Sequence, residues 1–143
     1  MLKKLEEIEL AGNGFEGMLP PCLNNLTSLS YLDISGNRFN GNLSSSPIAS
    51  LTSLEYIDLS YNLFEGLFSF SLFANHSKLK RIQFLSDNNK LDIEIDNWDP
   101  LFQLKVLVLS NFYPWAVTCD YSVITWLDTI VCVTLSFGFV SVN

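Results

Sequence analysis

Three pairs of side chains stand out for the chemistry they could do together: Tyr31 with Asp33, Tyr56 with Asp58, and Arg81 with Gln83. Within each pair one residue intervenes, and each pair follows the last by 25 residues. Side chains two apart on a strand share a face. Tyrosine gives rigid apolar area and a hydroxyl, while the carboxylates and the guanidinium add charged contacts, so the group reads as a ligand-recognition surface. Tyr61, Ser35 and Ser60 lie just beyond the same columns. A second reading stays open, in which the aspartates and serines serve the recurring phrases LDIS and LDLS and the sheet is merely solvated.

Other reactive groups are sparse. The stretch LDIEID alternates strictly from Leu91 to Asp96 and reads as a strand on the far side of the coil from the tyrosine columns, so Asp92, Glu94 and Asp96 share one face, with Asp99 nearby. Carboxylates so placed could hold Ca2+, but a solvated acidic face accounts for them better. A single histidine, His76, excludes chemistry by histidine pairs and reads as an exposed turn residue. There is no Gly-rich loop followed by Lys, no GxSxG and no HExxH, so no catalytic residue, metal site or cofactor is expected and the chain reads as a non-enzyme. Cys22, Cys119 and Cys132 are too scattered for a disulfide framework. Cys22 reads as a small residue packed in the interior, and no bridge is assigned. N-x-[ST] sequons place candidate glycosylation at Asn25, Asn42 and Asn75.

The elements that position these groups follow from a repeat. The 143 residues are 48% hydrophobic, enough for one domain with an apolar interior. Eight Lys and Arg against fifteen Asp and Glu leave a net charge of −7, which argues against nucleic acid as a partner. No basic segment followed by an apolar core begins at Met1, so no signal peptide is recognised there. Leu5, Leu29, Leu54, Leu79 and Leu104 are spaced by 24, 25, 25 and 25 residues. Ile8, Leu32, Ile57, Ile82 and Leu107 keep the same phase, as do Leu10, Ile34, Leu59, Phe84 and Leu109. Asn13, Asn37 and Asn62 come three residues later, then Phe15, Phe39 and Phe64, then Gly17, Gly41 and Gly66.

One such coil cannot bury its apolar edge alone. Coils stacked at the strand spacing of about 4.8 Å make a parallel sheet over a continuous core. Asparagine at the turn both donates and accepts, so Asn13, Asn37 and Asn62 should form a ladder of side chains on backbone groups leaving the sheet. The glycines allow a backbone conformation that a Cβ would oppose. The three sequons fall on segments between the sheet strands, away from the recognition face.

The phrases LAGNGFEGMLPPCLNNLTSL, LTSLEYIDLSYNLFEG, FANHSKLK and FQLKVLVLSN resemble the ectodomains of plant leucine-rich-repeat receptor-like proteins. The resemblance covers residues 1–111 and implies an α/β leucine-rich-repeat solenoid. It would have a parallel β-sheet on its concave face and about five repeats of 24–25 residues; the cysteine-paired caps of such ectodomains are not recognised here, so the chain reads as a fragment of a larger ectodomain, uncapped at both ends. It also implies a place at the plasma membrane or outside the cell. The implied role is recognition of an extracellular peptide, carbohydrate or protein in signalling or defence, with a co-receptor kinase as partner. Two other readings stay open: a secreted inhibitor of cell-wall-degrading enzymes built on the same repeat, and a truncated product with no binding function.

The pattern then weakens. In the fourth repeat the turn position holds Asp87, unless Asn88 takes the role through a slip of one residue; in the fifth it falls on Phe112. Residues 112–143 form a hydrophobic tail outside the repeat with only Asp120 and Asp128 charged. Within it, 123–142 is long enough to cross a membrane. Asp128 opposes that by about 2.5–3.5 kcal/mol near a span centre, and no basic residue flanks the segment. A strand covering the open end of the solenoid and an aggregation-prone unfolded segment are the other two readings of the tail.

Overall fold

The computed structural model describes residues 4–86, 91–94, 104–110 and 130–133. The chain winds as a solenoid, and each of the first four windings contributes one short strand to each of two parallel sheets. In chain order the strands are β1 (Glu7–Glu9), β2 (Glu16–Met18), β3 (Tyr31–Asp33), β4 (Arg38–Asn42), β5 (Tyr56–Asp58), β6 (Leu63–Ser69), β7 (Arg81–Leu85), β8 (Leu91–Glu94), β9 (Val106–Ser110) and β10 (Ile130–Val133). The first sheet runs β1-β3-β5-β7-β9-β10 and the second β2-β4-β6-β8.

The leucine columns explain the first sheet. Ile8, Leu32, Ile57, Ile82 and Leu107 are register partners across its strands. Leu32, Ile57 and Ile82 are fully buried, and Leu107 nearly so. Leu29, Leu54, Leu79 and Leu104 turn into the same interior. Burying each such side chain contributes about 1.5–3 kcal/mol, so the stack, not any one winding, holds the strands. Leu5, Ile8 and Leu10 are only partly buried because β1 has a neighbouring strand on one side alone.

The return segments are short 3-10 turns at Pro21–Asn25, Leu43–Ser45, Pro47–Ser50 and Phe70–Phe73. Proline opens two of them, where its fixed φ and missing N–H cause no loss. Each winding then makes the same tight turn back to the first sheet. The Leu29, Leu54 and Leu79 N–H groups donate to the carbonyls of Leu26, Leu51 and His76.

His76 therefore occupies the inward column of Leu26 and Leu51 and is fully buried, which corrects its reading as an exposed turn residue. Its ring meets Phe73 edge-on, and its Nε2–H donates to the Ile48 carbonyl at 3.1 Å. Cys22 is likewise corrected: it is a free, exposed thiol on the outer side of its turn, not packed within the coil.

The second sheet was foreseen only at LDIEID, where β8 pairs with β6 in parallel. In β4 and β6 the inward residues are Phe39, Phe64 and Phe68, and Phe68 meets Phe70, Phe73 and Phe84 in a buried aromatic cluster. In the tail, residues 130–133 form β10, which pairs with β9 and continues the first sheet by one strand. The remainder of 123–142, Asp87, Asn88, Asp96, Asp99, Phe112 and Cys119 lie outside the described residues. No helix among the described residues is long and apolar enough to cross a membrane.

Candidate functional site

The first sheet presents two columns to solvent, fixed by its register. Glu7, Tyr31, Tyr56, Arg81 and Val106 pair in sequence across the strands, as do Glu9, Asp33, Asp58, Gln83 and Val108. Tyr31, Asp33, Tyr56, Asp58, Arg81 and Gln83 thus come together on one face.

Their packing is specific. The Tyr31 and Tyr56 rings stack with centroids 4.4 Å apart and planes 6° from parallel. The Arg81 guanidinium carbon sits 5.7 Å from the Tyr56 ring centroid on the next strand. Strands about 4.8 Å apart impose this spacing on any planar groups in one column. Arg81 is held further by an Nη2–H donated to Gln83 Oε1 at 3.0 Å. Its Nε is buried without a hydrogen-bond partner among the described residues. Burial and then Asp33 push the Tyr31 hydroxyl above its ordinary pKa. Burial and then Asp58 push that of Tyr56 up to about 12. Both phenols stay protonated near neutral pH and keep their donor hydrogens.

The aspartates divide their work. Asp33 Oδ1 accepts the Ser35 N–H and Asp58 Oδ1 accepts the Ser60 N–H, each at 2.9 Å. Asp58 is only 5% exposed, and burial raises its carboxyl pKa against the lowering effect of the Ser60 bonds. Asp58 therefore supports the turn and the charge beside Tyr56, whereas Asp33 is half-buried and still meets solvent.

Tyr61 stands apart. It lies past the end of β5, is 46% exposed, and has φ 52. The two preceding windings place Gly12 and Gly36 at this position, with φ 68 and 63. A side chain with a Cβ is strained there, and such strain is concentrated at functional positions.

The turn asparagines bind backbone groups of neighbouring windings. Asn37 Oδ1 accepts the N–H groups of Asn13 and Phe15, at 3.1 and 2.9 Å. Its Nδ2 donates to the carbonyls of Leu10, Ile34 and Ser35. Asn62 accepts from Phe39 N–H at 3.0 Å and donates to Ile34, Leu59 and Ser60. Among the described residues the Asn13 side chain donates only within its own winding, to Leu10 and Ala11.

Asn25, Asn42 and Asn75 are all exposed and off the Tyr31–Tyr56 face. Asn42 is the last residue of β4, so it belongs to a strand of the second sheet and not to a connecting segment. Sequence reasoning overlooked the pairing of Glu55 with Lys80, an exposed contact that holds the Glu55 carboxyl below its usual pKa. Its signal was the position just before each Tyr56–Arg81 column residue. Among the described residues no group of three His, Cys, Asp or Glu side chains could hold a metal ion.

Comparison with known proteins agrees with this geometry. The family model described as Leucine Rich Repeat matches residues 4–26, 28–51 and 53–75. Over 111 residues, 77% of the chain, the sequence is 42% identical to Receptor-like protein 1 of Arabidopsis thaliana. Over the same length it is 43% identical to Cuscuta receptor 1 of Solanum lycopersicum. A shorter match, 49% identical over 43 residues, covers 30% of the chain and 4% of Receptor-like protein 13 of Arabidopsis thaliana. The chain spans about a tenth of the length of the first two relatives.

Proposed function

The chain belongs to the leucine-rich-repeat family of plant receptor-like proteins, and on that premise we propose that its first sheet is part of an extracellular ligand-recognition surface. The ligand is a peptide or protein segment that carries apolar and basic side chains. The observation that carries the reading is the strip Tyr31–Tyr56–Arg81, three side chains stacked across three adjacent strands. The strip has a planar apolar surface for an aliphatic or aromatic side chain. Asp33 and the exposed Glu9 beside it supply acceptors for a cation. The reading involves no catalytic step. Bound ligand would be reported at the plasma membrane through a partner kinase, the arrangement implied by resemblance to receptor-like proteins.

A random dodecapeptide library displayed against the purified 143-residue chain tests this. Selected peptides should bind wild type and lose about tenfold in affinity, or 1.4 kcal/mol, on Tyr56→Ala. They should bind Glu65→Ala unchanged, since Glu65 lies in β6 of the second sheet. Peptides that ignore Tyr56→Ala, or a screen that selects none, would contradict the proposal.

A further inference from the structure

Charge on the first sheet changes sign along the solenoid axis. The acidic end is β1, where Glu7 and Glu9 are exposed and Glu6 precedes them. Lys4 is the sole cation of this winding among the described residues. Asp33 in β3 extends the acidic end by one strand. The basic end is β7 and β9, where Arg81 opens one strand and Lys105 immediately precedes the other. The third winding, between these ends, has its carboxylates already engaged. Asp58 is buried and accepts the Ser60 N–H, and Glu55 pairs with Lys80. Tyr31 and Tyr56 therefore lie between an open acidic pole and an open basic one.

Arg81 is set up to receive an anion. Its guanidinium is stacked on Tyr56 and tied to Gln83 Oε1, and its Nε is shielded from solvent. Gln83 takes one of five N–H donors, so terminal N–H groups remain for a ligand oxygen. A planar guanidinium held in place matches a carboxylate better than a mobile ammonium does. Lys105 is exposed beside it, before the residue that is Arg81's register partner, Val106.

We propose that the ligand of this surface is a peptide segment with one acidic and one basic side chain, laid across the strands with its carboxylate on Arg81 and Lys105 and its cation on Glu7 and Glu9. This rests on the recognition surface proposed above and adds to it an anionic group and a direction. Reversal would set carboxylate against carboxylate, and facing like charges cost affinity. An apolar side chain between the two charges meets the stacked rings of Tyr31 and Tyr56. β1 and β7 are three strand steps apart in the sheet, about 14 Å. An extended peptide covers that distance in about four residues. The separation exceeds the Debye length of about 8 Å at physiological ionic strength, so each pole acts on its own charge.

Library peptides that bind the purified chain and are weakened by Tyr56→Ala test this. They should carry an acidic and a basic residue about four positions apart. Replacing the peptide's acidic residue with its amide should weaken binding to wild type about fivefold, the size of one or two partly exposed ion pairs. The same replacement should have little effect on binding to Arg81→Gln/Lys105→Gln. Arg81→Lys/Lys105→Arg, which keeps both charges, should restore much of the effect. Replacing the peptide's basic residue with glutamine should weaken binding to wild type but not to Glu7→Gln/Glu9→Gln. Tyr56-dependent peptides that lack an acidic residue, or an acid effect undiminished in Arg81→Gln/Lys105→Gln, would overturn the charge assignment and leave the tyrosine strip standing. A library that yields no Tyr56-dependent peptide would overturn both.

Discussion

Asn37 and Asn62, from successive windings, donate to the same acceptor: each Nδ2 lies 2.9 Å from the Ile34 carbonyl oxygen. Both lone pairs of one backbone oxygen are thereby used, and the two turns are locked together at a point that no sheet bond reaches. Asn62 also satisfies the buried Phe39 N–H. Asn62→Ala should therefore lose about 2–4 kcal/mol in urea unfolding, the penalty of leaving buried polar groups unpaired. Asn13→Ala, at an exposed turn where the side chain bonds only within its own winding, should lose about 1 kcal/mol or less. Equal losses at the two sites would show that the ladder does not couple windings.

His76 gives the fold a pH dependence whose sign can be stated. Burial holds its folded pKa below the ordinary 6.5, and the Ile48 and Phe73 bonds offset this only in part. The unfolded chain therefore binds a proton that the folded chain refuses. The stabilisation is complete above about pH 6.5 and is lost as the pH falls toward the folded value, by up to about 1.4 kcal/mol per unit. His76→Leu restores the residue type of Leu26 and Leu51 at this position. Urea midpoints taken between about pH 7.5 and pH 5 should fall more steeply in wild type than in His76→Leu. Parallel curves would contradict this assignment.

The stacked tyrosines should couple energetically. A double-mutant cycle on Tyr31→Ala and Tyr56→Ala should return an interaction of about 0.5–1.5 kcal/mol, as for other offset aromatic pairs. A cycle on Tyr56 and Arg81 should return about 0.5–1 kcal/mol, typical of a cation over a ring at a partly exposed site. Coupling near zero in both would mean that the strip is not preorganised in solution.

Tyr61 should trade stability for a surface feature. Replacing it with glycine, the residue of the two preceding windings, removes the strain of φ 52. That relief, less the backbone entropy glycine adds to the unfolded chain, should raise stability by about 0.5–1 kcal/mol. If Tyr61 contacts ligand, the same variant should weaken the selected peptides. A destabilised Tyr61→Gly would show that the ring makes compensating contacts.

The sequence revealed one sheet far better than the other. Every column of the first sheet recurs in phase, so register follows from counting, and the 25-residue step sets Tyr31 beside Tyr56. Outward positions of β4 and β6 change type from winding to winding: Arg38 becomes Leu63, and Asn42 becomes Leu67. A central glycine further hides the alternation, so only LDIEID read as a strand of a second sheet. His76 was misread because its polarity outweighed its position. The 25-residue step from Leu26 to Leu51 to His76 was visible, but burial depends on the Ile48 carbonyl that receives its proton. The Asp58 case is similar: spacing put it on the outer face, while its bond to Ser60 and the neighbouring strands draw it out of solvent.

Amide hydrogen exchange of the purified chain, with and without its tightest library peptide, tests the recognition surface most directly. The account predicts slowed exchange at 31–33, 56–58 and 81–83, with 38–42 and 63–69 unchanged. Protection confined to 38–42 and 63–69, with the tyrosine strip unaffected, would contradict it.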